Sequence, residues 1–359
     1  MAKPKKKLKK GYRFMRGLYR FVVAISSVIV VLFIALTLAV RPPSQAHAAN
    51  SPDTPVEVGG KGLVSHFRGN LETTGQNTKE RKELNYTFLL AATDDGNGKT
   101  DTLMVVNYDI PSGKVGIVSI PRDTMMEETR IGNSPKINVA YARGMDSLKS
   151  EVSNMLGIPL DFYILVDMEA FVRIVDQVGG VDFDVPIEMY HHDPVQNLTI
   201  RYMPGMQHLT GQQALEVARF RNNGDGTGYP IPDVGRAKTQ QQMIRTIGSK
   251  ILQWDVIANP AKLTNFVKIV KSYVETDMSF SDMLFFAQKA VMLNIDNGLE
   301  TGTLPGDGTY RYSDGSLCYI LYPEKALNLL NDLVNPYTTP LTEEDVNFFE
   351  DPGFFKTSS

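Results

Sequence analysis

Acidic residues and an arginine stand beside three short β-type segments in the first half of the chain. Asp94 and Asp95 follow the first segment, Asp101 precedes the second, and Arg122 and Asp123 follow the third. Carboxylates gathered at one place repel one another unless a cation or an arginine neutralises them, and oxygen ligands suit Mg²⁺ better than Zn²⁺. The pattern therefore predicts a divalent-cation site. The alternative is that these residues only form hairpin turns, which Asp, Asn and Gly also favour.

A second group of charged residues lies further along the chain. Arg219 and Arg221 end a helix-type segment, and in an extended chain they would point to the same side. Asp233 and Arg236 open a later helix, for which Asp233 is the predicted N-cap. Paired guanidiniums and a helix N-terminus are typical of phosphate binding. Each arginine taken alone is equally consistent with a solvated charge or a structural ion pair.

The elements that must position these residues follow from the hydrophobic periodicity. We predict antiparallel strands at 86–92, 102–108 and 115–120, and further strands at 162–166 and 181–185. Helices are predicted at 136–156, 168–178, 211–218, 234–254, 260–274, 281–293 and 322–333. If the first three strands form a meander, their adjoining ends bring the acidic residues and Arg122 to one sheet edge. The mixture predicts one α/β domain with a single mixed central sheet flanked by helices.

Composition and charge exclude several classes of protein. The 359 residues are 42% hydrophobic and 21% charged, as in globular proteins. Residues 1–41 hold ten basic and no acidic residues, so the remainder carries a formal charge of −13 and is poorly suited to nucleic acid. Cys318 is alone and cannot form an internal disulfide. The five histidines lack the spacing of a zinc hydrolase, and His191 and His192 are predicted to lie in a loop.

The strongest local signal is a run of twenty residues at 21–40, in which only two serines and one threonine are polar. It is long enough to cross a membrane, and the basic residues before it predict a cytoplasmic N-terminus. A cleaved signal peptide is the alternative, because Ala46-His47-Ala48 has the form of a cleavage site. The predicted parts are a basic cytoplasmic tail (1–20), an anchor (21–40), a flexible extracytoplasmic linker (41–83), the folded domain (84–336) and a C-terminal tail (337–359).

The ordered motifs of the folded domain resemble the LytR-CpsA-Psr family of cell-envelope phosphotransferases. They are TFLLAATD, KTDTLMVV, SIPRDT, KINVAYARG, DFYILVD, VGGVDFDVP, GQQALEVARFR and DVGRAKTQQQ, across 84–250. The resemblance implies an α-β-α fold with an apolar channel for a polyprenyl chain, although periodicity alone cannot separate channel-lining from core helices such as 251–274. It also implies transfer of a glycan 1-phosphate, from a teichoic acid, capsular or similar polysaccharide, from polyprenyl pyrophosphate to a peptidoglycan hydroxyl.

The resemblance also implies roles for individual residues. Asp94 and Asp101 would bind Mg²⁺, or Mn²⁺ in its place. Binding of the pyrophosphate would fall to Arg122, Arg219, Arg221, Arg236, Gln240 and Lys136, and catalysis to Arg122, Asp123 and Asp233. Either Asp233 or Asp101 would take the proton of the acceptor hydroxyl. The implied partners are the polyprenyl-pyrophosphate-linked glycan, the peptidoglycan acceptor and the membrane, with no nucleic acid.

The chain departs from the family pattern at Ala92, Asp95, Lys99 and Thr239. Thr239 matters most, since the family has an arginine there that would bind the pyrophosphate, and Asp95 stands where an arginine often follows the metal-binding aspartate. These two departures support an alternative function as a non-catalytic polyprenyl-phosphate-binding regulator or scaffold. A polyprenyl-pyrophosphate hydrolase, which passes the phosphate to water, is a further alternative.

Overall fold

The computed structural model describes residues 42–45, 79–93, 99–126, 135–193, 198–223, 225, 227–230, 232–251, 260–290, 293, 298–312 and 315–350. The predicted anchor at 21–40 and the predicted metal ligand Asp94 lie outside these residues, as does Asp95. No helix in the described part of the chain combines the length and the apolar character that a membrane crossing requires.

The secondary structure alternates between strands and helices along the chain. The strands are β1 (Asn85–Ala92), β2 (Thr102–Asp109), β3 (Lys114–Ile120), β4 (Phe162–Val166), β5 (Val181–Val185), β6 (Met189–Asp193), β7 (Leu198–Tyr202), β8 (Gly205–Leu209), β9 (Glu275–Thr276), β10 (Leu299–Thr303), β11 (Gly306–Arg311) and β12 (Leu317–Leu321). The α-helices are α1 (Met145–Leu156), α2 (Met168–Gln177), α3 (Gly211–Arg219), α4 (Pro232–Ile251), α5 (Pro260–Tyr273), α6 (Phe280–Lys289) and α7 (Pro323–Leu333).

The central sheet has six strands in the order β10-β3-β2-β1-β4-β9. Strands β1, β2 and β3 form the predicted antiparallel meander, with Ala92 opposite Thr102 and Leu103 opposite Ile120. Strand β4 runs parallel to β1, and β10 runs parallel to β3. The prediction of a single mixed central sheet is therefore confirmed.

Alternating residues of the meander pack on opposite faces of the sheet. Leu89 and its neighbours in register contact α1 and α7, whereas Phe88 and Met104 belong to the cluster formed with α5 and α6. Successive side chains of a strand point to opposite faces of the sheet. Both faces of these strands are therefore buried, each against a different set of helices. Helices cover both sides of the sheet, which gives the predicted α-β-α layers.

A smaller group of strands packs beside the main sheet. Strand β5 pairs with β8, and β6 pairs with β7 as a hairpin. Their apolar residues form a separate cluster with α2, α3 and α4, in which Phe220 and Met243 are buried. This arrangement places the hairpin opposite the edge of the main sheet where the charged residues collect.

Three local predictions were wrong. The helix predicted at 136–156 is divided into a 3₁₀ helix, Ile137–Arg143, and α1, because Gly144 between them has a φ of 95° that interrupts the helix. His191 and His192 lie in strand β6 rather than in a loop. Helix α4 begins at Pro232, so Asp233 lies in its first turn and is not its N-cap.

Segments on either side of 84–336 also pack against the domain. Arg81 forms a bidentate ion pair with the buried Asp161. Its Nη1 donates to Oδ1 at 2.7 Å and its Nη2 donates to Oδ2 at 2.9 Å. The backbone of Arg81 forms a β-bridge with Tyr337, and Lys79 pairs with Asp345 at 2.9 Å. Residues 79–83 and 337–350 thus join the two ends of the folded body.

Candidate active site

A cavity of about 760 Å³ opens at the edge of the sheet where β1, β3 and β4 end and β2 begins. Thr93, Asp101, Arg122 and Asp167, which flank those strand ends, line it. The meander register brings Asp101 beside the end of β1, where its backbone N–H donates to the carbonyl of Ala92 at 2.9 Å. The predicted convergence of charge at one sheet edge is therefore present for the described residues.

Arg122 is held at this edge by two carboxylates. Its Nη1 donates to Asp101 Oδ1 at 2.5 Å, and its Nε lies 3.8 Å from Asp123 Oδ2. Asp123 in turn pairs with Lys136 Nζ at 3.2 Å. The side chains of Arg122 and Asp101 remain about one-third exposed, at 31% and 34%, so the pair is accessible from the cavity. Arg122 therefore forms a structural ion pair and also lines the cavity.

Arg219, Phe220 and Arg221, which follow one another at the end of α3, all line the cavity. Helix α3 ends at Arg219, and Phe220 has the extended backbone, with φ −60° and ψ 135°. The Phe220 side chain is 1% exposed and packs in the smaller cluster. Phe220 thus anchors this segment in the smaller cluster, and the arginines on either side of it belong to the same cavity wall, as predicted.

Tyr229 connects this segment to the start of α4. Its ring packs edge-on against Phe220, with ring centroids 5.7 Å apart. Its hydroxyl is hydrogen bonded to Thr239 Oγ1 at 2.5 Å, and burial raises the pKa of Tyr229. Gly235 fits beneath the ring, since a Cβ at that position would lie 2.5 Å from the Tyr229 Cβ. The tyrosine therefore sets the distance between the Arg219–Arg221 segment and α4.

Helix α4 contributes Arg236 and Gln240 to the same end of the cavity. Gln240 Oε1 accepts from Thr102 Oγ1, and its Nε2 donates to the Ala218 carbonyl, each at 3.2 Å. The following residue, Gln241, is buried and donates to Ser119 Oγ at 2.8 Å. These bonds hold α4, and with it the backbone of Arg236, against the sheet and against the end of α3.

Most of the remaining cavity wall is apolar. Side chains from the sheet, from α2, α3 and α4 and from the hairpin line it: Leu90, Met104, Phe171, Ile174, Ile200, Leu215, Met243, Ile244, Ile247 and Ile251. Helix α5, by contrast, buries Val267 in the core of the main sheet. The sequence could not show whether the apolar residues at 251–274 line a channel or form core. In the structure, Ile251 lines the cavity and Val267 belongs to the core.

The structure gathers most of the predicted site residues at one end of this cavity. They are Asp101, Arg122, Arg219, Arg221, Arg236 and Gln240. In the described part of the chain, Asp123 and Lys136 pair with each other behind Arg122 and do not line the cavity. Asp94 lies outside the described residues, and the Asp233 side chain is likewise not described. Over the described ranges, no group of three or more histidine, cysteine or acidic side chains is placed to hold a metal ion.

Thr239 lies away from the cavity. It is 1% exposed, and its hydroxyl donates to the Gly235 carbonyl at 3.2 Å in addition to its contact with Tyr229. The position is therefore part of the support of the arginine cluster. The threonine side chain does not line the cavity.

Two cavity residues were missed by the sequence analysis. Asp167 follows β4 at the same sheet edge, where its Oδ1 caps α2 by accepting from the Ala170 N–H at 2.6 Å. His191 lies in β6 opposite Ile200, and both line the cavity. Met189 and His191 are two residues apart and would share one face of a strand. Without a known partner strand, this spacing did not indicate whether that face was turned towards a ligand.

Comparisons with known proteins agree with this architecture. The LytR_cpsA_psr family model matches residues 56–335. The polyisoprenyl-teichoic acid–peptidoglycan teichoic acid transferase TagU of Bacillus anthracis is 34% identical over 260 residues, covering 71% of this chain and 78% of TagU. The crystal structure of B. subtilis TagV is similar with a TM-score of 0.59 and 25% identity, covering 75% of this chain and all of that one. A LytR-Csp2A-Psr enzyme from Actinomyces oris shares the fold, with a TM-score of 0.56, 21% identity and coverage of 72% and 94%.

Proposed function

The chain belongs to the LytR_cpsA_psr family, and we propose that it transfers a glycan 1-phosphate from a polyprenyl pyrophosphate carrier to a hydroxyl of peptidoglycan. The observation that carries this proposal is the cavity with two unlike ends. One end, at the sheet edge and the first turns of α4, gathers Arg122, Arg219, Arg221 and Arg236; the other, along the later turns of α4, is lined by apolar side chains such as Ile247 and Ile251. The activity named for TagU supports the same class of reaction.

The two ends of the cavity match the two parts of such a donor. A polyprenyl chain is excluded from water and is stabilised against apolar walls such as Leu215 and Ile247. A pyrophosphate carries several negative charges, which guanidinium groups bind through paired N–H donors. We infer that the donor binds with its lipid in the apolar part and its pyrophosphate among the arginines.

The transfer itself is a substitution at phosphorus. The acceptor oxygen bonds to the phosphorus that carries the glycan, while the bond from that phosphorus to the bridging oxygen breaks. The bridging oxygen leaves with the lipid phosphate, and the hydroxyl proton passes to a carboxylate, for which Asp101 and Asp233 are the candidates. Arginines held in place by Asp101, Phe220 and Gln240 stabilise the charge on the non-bridging oxygens without rearranging.

We propose that Asp101, with Asp94, holds a magnesium ion. The Asp101 carboxylate fits this role because it faces the cavity beside the pyrophosphate-binding arginines and offers hard oxygen donors. A bound Mg²⁺ supplies positive charge that offsets the negative charge of the departing phosphate. The Asp101–Arg122 ion pair also explains how Arg122 stays oriented before the ion binds.

We also propose that residues 21–40 anchor the protein, with the catalytic domain outside the cell. Single-cysteine labelling in intact cells tests this topology, since the native Cys318 is buried and gives little background. A membrane-impermeant maleimide should label Glu344→Cys, which lies on an exposed segment, and should not label Ala2→Cys. Labelling of Ala2→Cys without cell lysis would contradict the proposed orientation.

The activity is tested with the full chain in detergent, a radiolabelled polyprenyl-pyrophosphate-linked glycan and purified peptidoglycan. Label should become attached to peptidoglycan in the presence of Mg²⁺ and should not when EDTA is added. Arg122→Ala should abolish the attachment. Arg143→Ala is the matched control, because Arg143 is an exposed arginine paired with Glu151 outside the cavity.

The outcomes separate the alternatives. Release of glycan phosphate into solution, unchanged by added peptidoglycan, would identify a hydrolase. Tight binding of the lipid donor without release or attachment, in several glycan forms, would identify a scaffold. Arg122, Arg219, Arg221 and Arg236 all line the cavity despite the departure at Thr239, and they favour the transferase over the scaffold.

A further inference from the structure

His191 lies on the cavity wall where the charged part meets the apolar part. It is opposite Ile200 in the β6–β7 hairpin, and Ile200 belongs to the apolar wall. On its other side, the backbone N–H of Tyr190 donates to Asn223 Oδ1 at 2.7 Å, which ties β6 to the segment that follows Arg221. The imidazole therefore lies between the Arg219–Arg221 segment and the aliphatic side chains.

The two ring nitrogens of His191 have different surroundings. Nδ1 is buried and has no hydrogen-bond partner within the described residues, while the side chain as a whole is half-buried and lines the cavity. A proton on Nδ1 would leave a buried N–H donor unpaired, which costs free energy. A proton on Nε2 leaves only a lone pair at the buried position and provides an N–H donor on the other side of the ring. Of the two neutral tautomers, the surroundings therefore favour the one with the proton on Nε2.

We propose that His191 Nε2–H donates a hydrogen bond to the lipid-proximal phosphate of the polyprenyl pyrophosphate. This inference rests on the proposed function. The phosphate attached to the prenyl chain is the part of the donor that lies between the charged head and the apolar tail, and His191 occupies the corresponding junction of the cavity. A neutral donor suits this place because it adds no charge to the apolar wall.

The same bond would assist the reaction. Negative charge on the lipid-proximal phosphate increases as the bond to the bridging oxygen breaks, so a donor to that phosphate binds the transition state more tightly than the ground state. His191 would thus be a substrate-contacting residue on the leaving-group side. The arginine cluster would bind the phosphate that is transferred.

Binding of farnesyl phosphate to the full chain in detergent tests this inference, because this probe carries only the lipid-proximal phosphate. His191→Phe keeps a ring of similar size and removes the donor, and its affinity should fall by about tenfold or more, as expected for a hydrogen bond to a charged group. His191→Gln keeps an N–H near the Nε2 position and should stay within about threefold of the unchanged chain. Farnesol, which lacks the phosphate, should bind all variants equally.

His192 provides the matched control. It is the next residue, exposed, and its Nδ1 contacts Thr199 Oγ1 at 3.0 Å away from the cavity. His192→Phe should leave farnesyl phosphate affinity unchanged. Inorganic phosphate serves as the second probe, and an equal loss with it would show a free-phosphate site and overturn the assignment to the lipid-linked phosphate.

Three results would overturn the role of His191. One is His191→Phe binding farnesyl phosphate as well as the unchanged chain does. Another is an equal loss for farnesol, which would mean that the ring only packs against the prenyl chain. The third needs no variant: a ¹⁵N spectrum of the unchanged chain that places the His191 proton on Nδ1. Failure of glycan transfer to peptidoglycan, with His191-dependent binding intact, would refute the transferase function alone.

Discussion

Replacing Gly235 by alanine should disturb the arginine cluster through Tyr229. The added methyl group would lie 2.5 Å from the Tyr229 Cβ and closer still to its Cγ. Ordinary carbon–carbon contacts are about 3.5–4.0 Å, so the ring and the helix must separate by about 1 Å or more. The ring cannot move alone, because it packs on Phe220, whose neighbours are Arg219 and Arg221.

Two opposing effects set the change in stability. Alanine in place of glycine in a helix contributes about 1 kcal/mol of stabilisation, whereas overpacking costs about 1–3 kcal/mol. The net loss in the free energy of unfolding should therefore lie between about 0 and 2 kcal/mol. Function should suffer more than stability, because misplacing a reacting group by about 1 Å can cost about 100-fold in rate.

Urea denaturation and farnesyl pyrophosphate binding measure the two effects separately. Ala237→Gly is the control, since Ala237 lies in the same helix and its replacement changes mainly the helix propensity, by about 1 kcal/mol. The control should lose stability and keep its affinity, and Gly235→Ala should lose at least about tenfold in affinity. A Gly235→Ala protein that is more stable and binds normally would refute the role assigned to Tyr229.

Three further predictions concern the stability of the fold. Asp161→Asn should lower the free energy of unfolding by about 3–5 kcal/mol in denaturant titrations, because it leaves the guanidinium of Arg81 without its carboxylate; a loss below about 1 kcal/mol would contradict this. Gln241→Leu should destabilise by about 1–3 kcal/mol, since the Gly302 carbonyl loses the donor at 2.9 Å, and calorimetry should show a lowered Tm. Burial and the Asp161 charge raise the pKa of Tyr86 to about 12. The unfolded chain, with a tyrosine pKa near 10, then loses this proton first, so stability should fall between about pH 10 and 12. Tyr86→Phe should show a smaller fall when denatured at about pH 9 and about pH 11.

The main sheet could be predicted from the sequence because its signals are local. Strands β1 to β3 are short apolar runs separated by turn-forming residues, and consecutive strands of this kind usually pair as a meander. That pairing alone brings Asp101 and Arg122 to one edge. The prediction failed at Gly144, where an apolar pattern compatible with one helix concealed a change of helix type.

The sequence could not show which residues of the β6–β7 hairpin and of α4 face the cavity. His191 was predicted in a loop, because a five-residue strand shows its alternation only when its partner is known. Thr239 stands where the family pattern has an arginine, and only the structure shows that its hydroxyl contacts Tyr229. In both cases, the surroundings of the side chain depend on a contact with another segment. For His191 this segment is the partner strand β7, and for Thr239 it is the segment that carries Tyr229.

The amino-acid sequence by itself determined the approximate positions of strands β1 to β5 and of the helices, the residue types at the sheet edge and the pair of arginines around Phe220, since each depends on neighbours a few residues away. It did not indicate strands β6 to β12. Only the tertiary structure decided which apolar residues form core and which line the cavity. Ile251 and Val267 have the same chemistry and the same helical periodicity, but one faces the cavity and the other the sheet. The reason is physical: periodicity reports that a side chain avoids water, whereas the packing of distant segments decides whether protein atoms fill the space beside it.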